Sequence, residues 1–124
     1  MGRVKDPAFK ARLLAEESVI PESDIADFLN IVANGWFTHY EMDPDFNYEP
    51  TADESVQARA TAAGVSAAAY GYDLLMKDEG KGFIYFPILN YRDGNLNFLE
   101  DLQVSDDTVN SLSDGGAHCG TICD

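Results

Sequence analysis

The side chains best suited to chemistry crowd one end of the chain. Cys119 and Cys123, the only two cysteines, stand within the last six residues, with His118 before them and Gly120-Thr121-Ile122 between them. An ionised thiol is a nucleophile and a soft-metal ligand, and the Thr121 hydroxyl can be dehydrated or cyclised by an enzyme working on the same stretch. His118 and two thiolates amount to a partial site for Zn or Cu(I), one ligand short of a closed structural zinc. The expectation is therefore no metal and no other cofactor. Cysteines this close together cannot staple the body of a fold, and a disulfide between them forms only under oxidising conditions or during catalysis. Modification or a local disulfide at Cys119 and Cys123, with Thr121 as a further target, is the chemistry this end implies.

Other candidates have plainer readings. His39 and Asp43 form an i,i+4 pair near Trp36 and Tyr40, a spacing that can share a proton or a metal. A single imidazole among aromatic neighbours, with no second ligand suitably spaced, fits an ordinary amphipathic helix end better. The carboxylates are too numerous for any two to be singled out as an acid/base pair. Gly80-Lys81-Gly82 precedes a predicted strand, the wrong order for a phosphate-binding loop. No catalytic residue is expected, and the chain reads as a non-enzyme.

With 22 Asp+Glu against 8 Lys+Arg the formal charge is −14, which repels phosphate backbones and anionic lipid and argues against direct nucleic-acid binding. A length of 124 residues, 45% of them apolar, suits one packed domain with tails. Met1 to Pro7 places charges and a proline where a secretory signal needs an apolar run. Phe83 to Leu89 is strongly hydrophobic but contains Pro87 and falls far short of the roughly 20 residues that span a bilayer. Cytoplasmic synthesis without a membrane span is expected.

The reactive end needs a body to carry it, and the apolar pattern predicts an α+β fold: three helices packed with a C-terminal β-hairpin, then an acidic tail. Asp6 and Pro7 cap a first helix bearing Phe9, Leu13 and Leu14, running to about Ser18. Ile25, Phe28, Leu29, Val32, Trp36 and Tyr40 recur at helical spacing over a second helix whose opposite face is acidic. Met42 to Pro50 reads as a loop tethered by Phe46 and Tyr48. Thr51-Ala52-Asp53-Glu54 resembles a capping box opening a third helix through Leu74, which Gly64 and Gly71 weaken without ending. Phe83 to Leu89 predicts a strand, and Asp93-Gly94 a tight turn returning Leu96 to Leu99 antiparallel, with Leu89 near Phe98. Phe28, Leu29, Val32, Tyr70, Leu74, Ile84 and Leu89 form the predicted core. The boundaries are a body of residues 1–100, an acidic stretch 101–116 and a C-terminal segment 117–124.

Two stretches together resemble a known class. Asp6-Pro7-Ala8-Phe9-Lys10-Ala11-Arg12-Leu13-Leu14-Ala15 resembles the first helix of nitrile hydratase-like leader peptides, which open precursors of ribosomally synthesised, post-translationally modified peptides. Val104 to Gly116 resembles the end of a double-glycine leader, in which spaced apolar residues precede a Gly-Gly cut. The register differs from that family: Leu112 stands three positions before Gly115 where two is usual, with Asp114 inserted. Hydratase chemistry does not carry over, since C-x-x-x-C replaces the metal-binding C-x-x-C-x-C run.

The resemblance implies cleavage at Gly115-Gly116, recognition through Phe9, Leu13, Val104, Val109 and Leu112, and modification of the segment beyond. Its partners would be a maturation enzyme and a leader peptidase or transporter, with the C-terminal product exported. The Gly115-Gly116 step is then expected to be exposed and outside regular structure, with both thiols accessible. Two other functions are weighed against it. One is an acidic inhibitor that mimics nucleic acid in a basic groove, and the other is a disulfide-bearing structural or assembly subunit.

Overall fold

A computed structural model describes residues 2–89, 91, 93–109, 116–118 and 121–123. The first helix, α1 (Pro7–Ala15), starts as its sequence requires. The Asp6 carboxylate accepts the Ala8 N–H at 3.0 Å and Pro7 takes the first helical position. None of its residues is buried. Polar contacts hold this end of the chain to the rest: Lys10 Nζ lies 2.6 Å from Asp73, Lys5 Nζ 3.5 Å from Glu79, and the Tyr72 hydroxyl donates to the Val4 carbonyl.

The second helix is shorter than its apolar repeat implies. α2 (Ala26–Asn34) stops at Gly35, whose carbonyl accepts the Thr38 N–H, the Thr38 hydroxyl and His39 Nδ1, each at 2.8 Å. Those donors fold the chain into a 3-10 turn, Trp36–Thr38, and release Tyr40 from helix into a strand, β1 (Tyr40–Met42).

The third predicted helix is several elements. Glu54 closes a 3-10 turn, Ala52–Glu54, by accepting the Thr51 N–H at 2.7 Å and the Thr51 hydroxyl at 2.9 Å. Ser55 then caps α3 (Val56–Ala63). Gly64 ends α3 rather than merely weakening it. At φ 70° it is left-handed, its N–H bonds to the Thr61 carbonyl, and the Val65 N–H reaches back to Ala60, the closed pattern of a glycine C-terminal cap. Ser66 immediately caps α4 (Ala67–Leu75), and a four-residue turn, α5 (Lys77–Gly80), follows with Asp78 and Glu79 at positive φ.

A strand does form at the predicted place, as β2 (Phe83–Tyr85), ending before Pro87. Its partner is β1, antiparallel, with Tyr40 opposite Tyr85, Glu41 opposite Ile84 and Met42 opposite Phe83. The hairpin expected at Asp93-Gly94 is not formed. The Gly94 N–H turns back to Tyr91, the Asn95 side chain accepts the Asn97 N–H, and α6 (Asn97–Val104) begins where a strand was expected. Phe98, Leu99 and Leu102 have helical spacing, which a four-residue window hides. Leu89 and Phe98, expected to meet, are 76% and 57% exposed. At the end of the chain β3 (Gly116–His118) pairs antiparallel with β4 (Thr121–Cys123).

The described residues are thus α+β in the coarse sense, with six helices instead of three and two small two-stranded sheets. The hydrophobic centre is Tyr40, Val56, Ala60 and Leu74, where β1, α3 and α4 meet, together with His39 and Ser55. Of the predicted core only Leu74 is buried. Leu29, Tyr70 and Ile84 are half-buried, and Phe28, Val32 and Leu89 are exposed. Small residues on α3 and α4 let the two helices close on each other, and α2 is left at the margin.

Candidate functional site

In the C-terminal segment Gly116 stands opposite Cys123, Ala117 opposite Ile122 and His118 opposite Thr121. This ladder is a sheet of its own, not joined to β1 and β2. The expectation that the Gly-Gly step lies outside regular structure is corrected at Gly116, which opens β3. The register places Cys123 across from a glycine. Leu112, Gly115 and Cys119 lie outside the described residues, as do the expected exposure of the thiols and the pairing of the two cysteines.

The residues assigned to leader recognition are spread over two places. Phe9 is half-buried on α1, with the guanidinium carbons of Arg3 and Arg12 each 5.5 Å from its ring centroid, within cation–π range. Leu13 is 42% exposed on the same helix. Val104 ends α6 and Val109 follows it, 76% and 93% exposed. The structure brings Phe9 and Leu13 together on α1 and leaves Val104 and Val109 on a separate segment.

His39 is a buried structural side chain. Its ring stacks on Phe86 at 4.5 Å, tilts against Trp36 at 5.3 Å, and donates from Nδ1 to the Gly35 carbonyl. Asp43 instead accepts the Asp45 N–H inside the following loop. Phe46 and Tyr48 anchor that loop by edge-to-face contacts with Tyr85 at 4.9 and 5.6 Å. Among the described residues no group of three or more His, Cys, Asp or Glu is placed to hold a metal ion.

Two hollows flank β1. The smaller, about 100 Å³, is lined by Tyr40, Asp43, Asp45, Phe46 and Glu54 among others. Burial, with the Glu54 charge beside it, pushes the Tyr40 phenol above its ordinary pKa, while hydrogen bonds from Thr51 hold Glu54 below the usual carboxylate range. The larger, about 360 Å³, lies between Met42, Leu74 and Phe83 and is edged by Glu41, Lys77 and Lys81. Glu41 is committed to structure there: Arg59 approaches it at 2.8 Å and Lys77 pairs with its other oxygen, so one carboxylate ties β1 to α3 and to the start of α5. Sequence reasoning missed this junction. Its only sequence signal is a charge between Tyr40 and Met42 in an alternating triplet, and that alternation is masked by the helical repeat ending at Tyr40.

Glu41, Asp43, Asp45 and Glu54 line the smaller hollow beside Tyr40 and Arg59, so carboxylates dominate it. No protein-family model matches the chain, and no curated protein or solved structure matches it either. Among the described residues no helix is long and apolar enough to cross a membrane.

Proposed function

We propose that the chain is a non-enzymatic precursor, in which residues up to about Gly116 are a recognition body for a maturation enzyme and Ala117 to Asp124 are the product. The observation that carries the reading is the separateness of the reactive end. Both cysteines and Thr121 belong to a terminal stretch whose strands pair with each other in a sheet apart from β1 and β2. A two-stranded ladder of three residue pairs is at best marginally stable in water. Drawing Gly116 out of it into a peptidase cleft therefore costs little, and the body can stay folded. The leader-like stretches at residues 6–15 and 104–116 support the same division.

The test is intact and fragment mass of the chain recovered from the cell that makes it. The expected result is a released fragment beginning at Gly116 or Ala117 whose mass departs from the genetically encoded one, with the change mapped to Cys119, Thr121 or Cys123. Recovery of the full-length chain alone, with two unmodified thiols that both alkylate, removes the proposal.

A further inference from the structure

α2 is amphipathic, yet none of its residues is buried. Ala26, Leu29 and Ala33 are half-buried and mark the side turned toward the rest of the chain. Phe28, Ile31 and Val32 share the adjoining side at helical spacing and are 42%, 43% and 39% exposed, with Ile25 beside them at 56%. A continuous strip of large apolar side chains left in water by folding is the mark of a contact surface. The charges on the helix and in the chain flanking it are of one sign. Asp24 and Asp27 stand exposed at its N-terminal end, and no Lys or Arg occurs between Arg12 and Arg59.

We propose that this strip of α2 docks a cationic amphipathic helix of a partner protein, whose apolar side chains cover Phe28, Ile31 and Val32 and whose Lys or Arg residues meet Asp24 and Asp27. Charge complementarity selects that occupant. A second copy is a poor one, because each chain carries −14 and like charges across an interface are repulsive. The chain's own basic stretch is also engaged: Lys5 and Lys10 are in ion pairs, while Arg3 and Arg12 lie over Phe9. An anionic bilayer is repelled by the same carboxylates. The inference deepens the reading above by locating the face that a maturation enzyme would grip, and it rests on that reading only for the partner's role. Binding is measured on the purified full chain and reads nothing at its C-terminal segment, so the two fail separately.

The probe is a fluorescent synthetic peptide of about 18 Leu and Lys residues, arranged so that Leu occupies one helical face and Lys the other. Fluorescence anisotropy should show it binding at least about tenfold tighter than a scrambled peptide of identical composition, and weakening steeply from roughly 50 to 300 mM salt. Phe28→Ala with Val32→Ala should lose roughly tenfold in affinity. Asp24→Asn with Asp27→Asn, at exposed positions that leave the fold intact, should flatten the salt dependence. Absence of binding, equal binding of the scrambled peptide, or indifference to both pairs of substitutions overturns the proposal. So does a dimer in sedimentation that Phe28→Ala with Val32→Ala dissolves, because a second copy then covers the strip.

Discussion

The six-membered ring of Trp36 fills the space that a side chain at position 71 would need. A methyl group built on Gly71 would lie 2.6 Å from it, and the indole is itself backed by His39, whose ring stacks in turn on Phe86. Two effects of Gly71→Ala oppose each other. Alanine in a helix interior gains about 1 kcal/mol over glycine, while forcing a methyl into a packed contact costs typically about 1–3 kcal/mol. The ring cannot retreat without disturbing His39, so overpacking should win. The expected outcome is a lower urea midpoint and a shifted tryptophan emission, both partly restored when Trp36→Leu makes room. A midpoint that rises would mean that helix propensity dominates and that the indole does not occupy this space. Reading Gly71 as a weak point of a helix is possible from the sequence, but its partner lies thirty-five residues upstream, and only folding brings the two together.

Between elements, backbone handedness decides where one stops and the next begins. Gly64 and Glu79 are a matched pair for testing it, at φ 70° and 67°. A Cβ at Gly64 meets nothing within 4 Å, so Gly64→Ala isolates the left-handed penalty, about 1–2 kcal/mol per non-glycine residue. Glu79 already bears that penalty, and Glu79→Gly should return up to roughly 1 kcal/mol of stability, reduced by the freedom glycine adds to the unfolded chain and by loss of the exposed ion pair with Lys5, a small term in water. Thermal melts should move in opposite directions for the two substitutions, and movement in the same direction would contradict the assigned backbone. Element ends were legible in the sequence where a local side chain sets them. Asp6-Pro7 starts α1 as read, and Thr51 with Glu54 forms the capping box that the sequence implies, though it opens a 3-10 turn while Ser55 caps the helix. Gly64-Val65-Ser66 also carried a stop and a start, a left-handed glycine followed by a capping serine, but the alanines on either side suggested one long helix. β1 was not legible, since three residues at the end of a helical repeat become a strand only through pairing with Phe83–Tyr85. The clustering of the cysteines was plain from position alone. Which side of α2 stays uncovered was not, because amphipathicity gives a face and not the neighbour that meets it.

Over the whole molecule the dominant quantity is the charge of −14. Salt acts on it in two opposing ways. Screening relieves mutual repulsion among carboxylates, since the Debye length shrinks from about 30 Å at 0.01 M to about 8 Å at 0.15 M. The same screening weakens the ion pairs of Lys5, Lys10, Arg59 and Lys77, but partly exposed pairs are each worth only about 0–1 kcal/mol. Those pairs engage four of the 8 basic residues, against 22 acidic ones, so relief of repulsion should win. Raising salt across that range should stabilise the fold by on the order of 1 kcal/mol, seen as a melting midpoint about 5 °C higher. A midpoint that falls would show that the local pairs outweigh the long-range field. The same experiment separates stability from recognition. A cationic partner drawn to Asp24 and Asp27 loses affinity over the range in which the chain gains stability, so the two salt slopes should carry opposite signs. If melting and binding instead weakened together, loss of fold would account for loss of binding, and attraction between unlike charges would not be its cause.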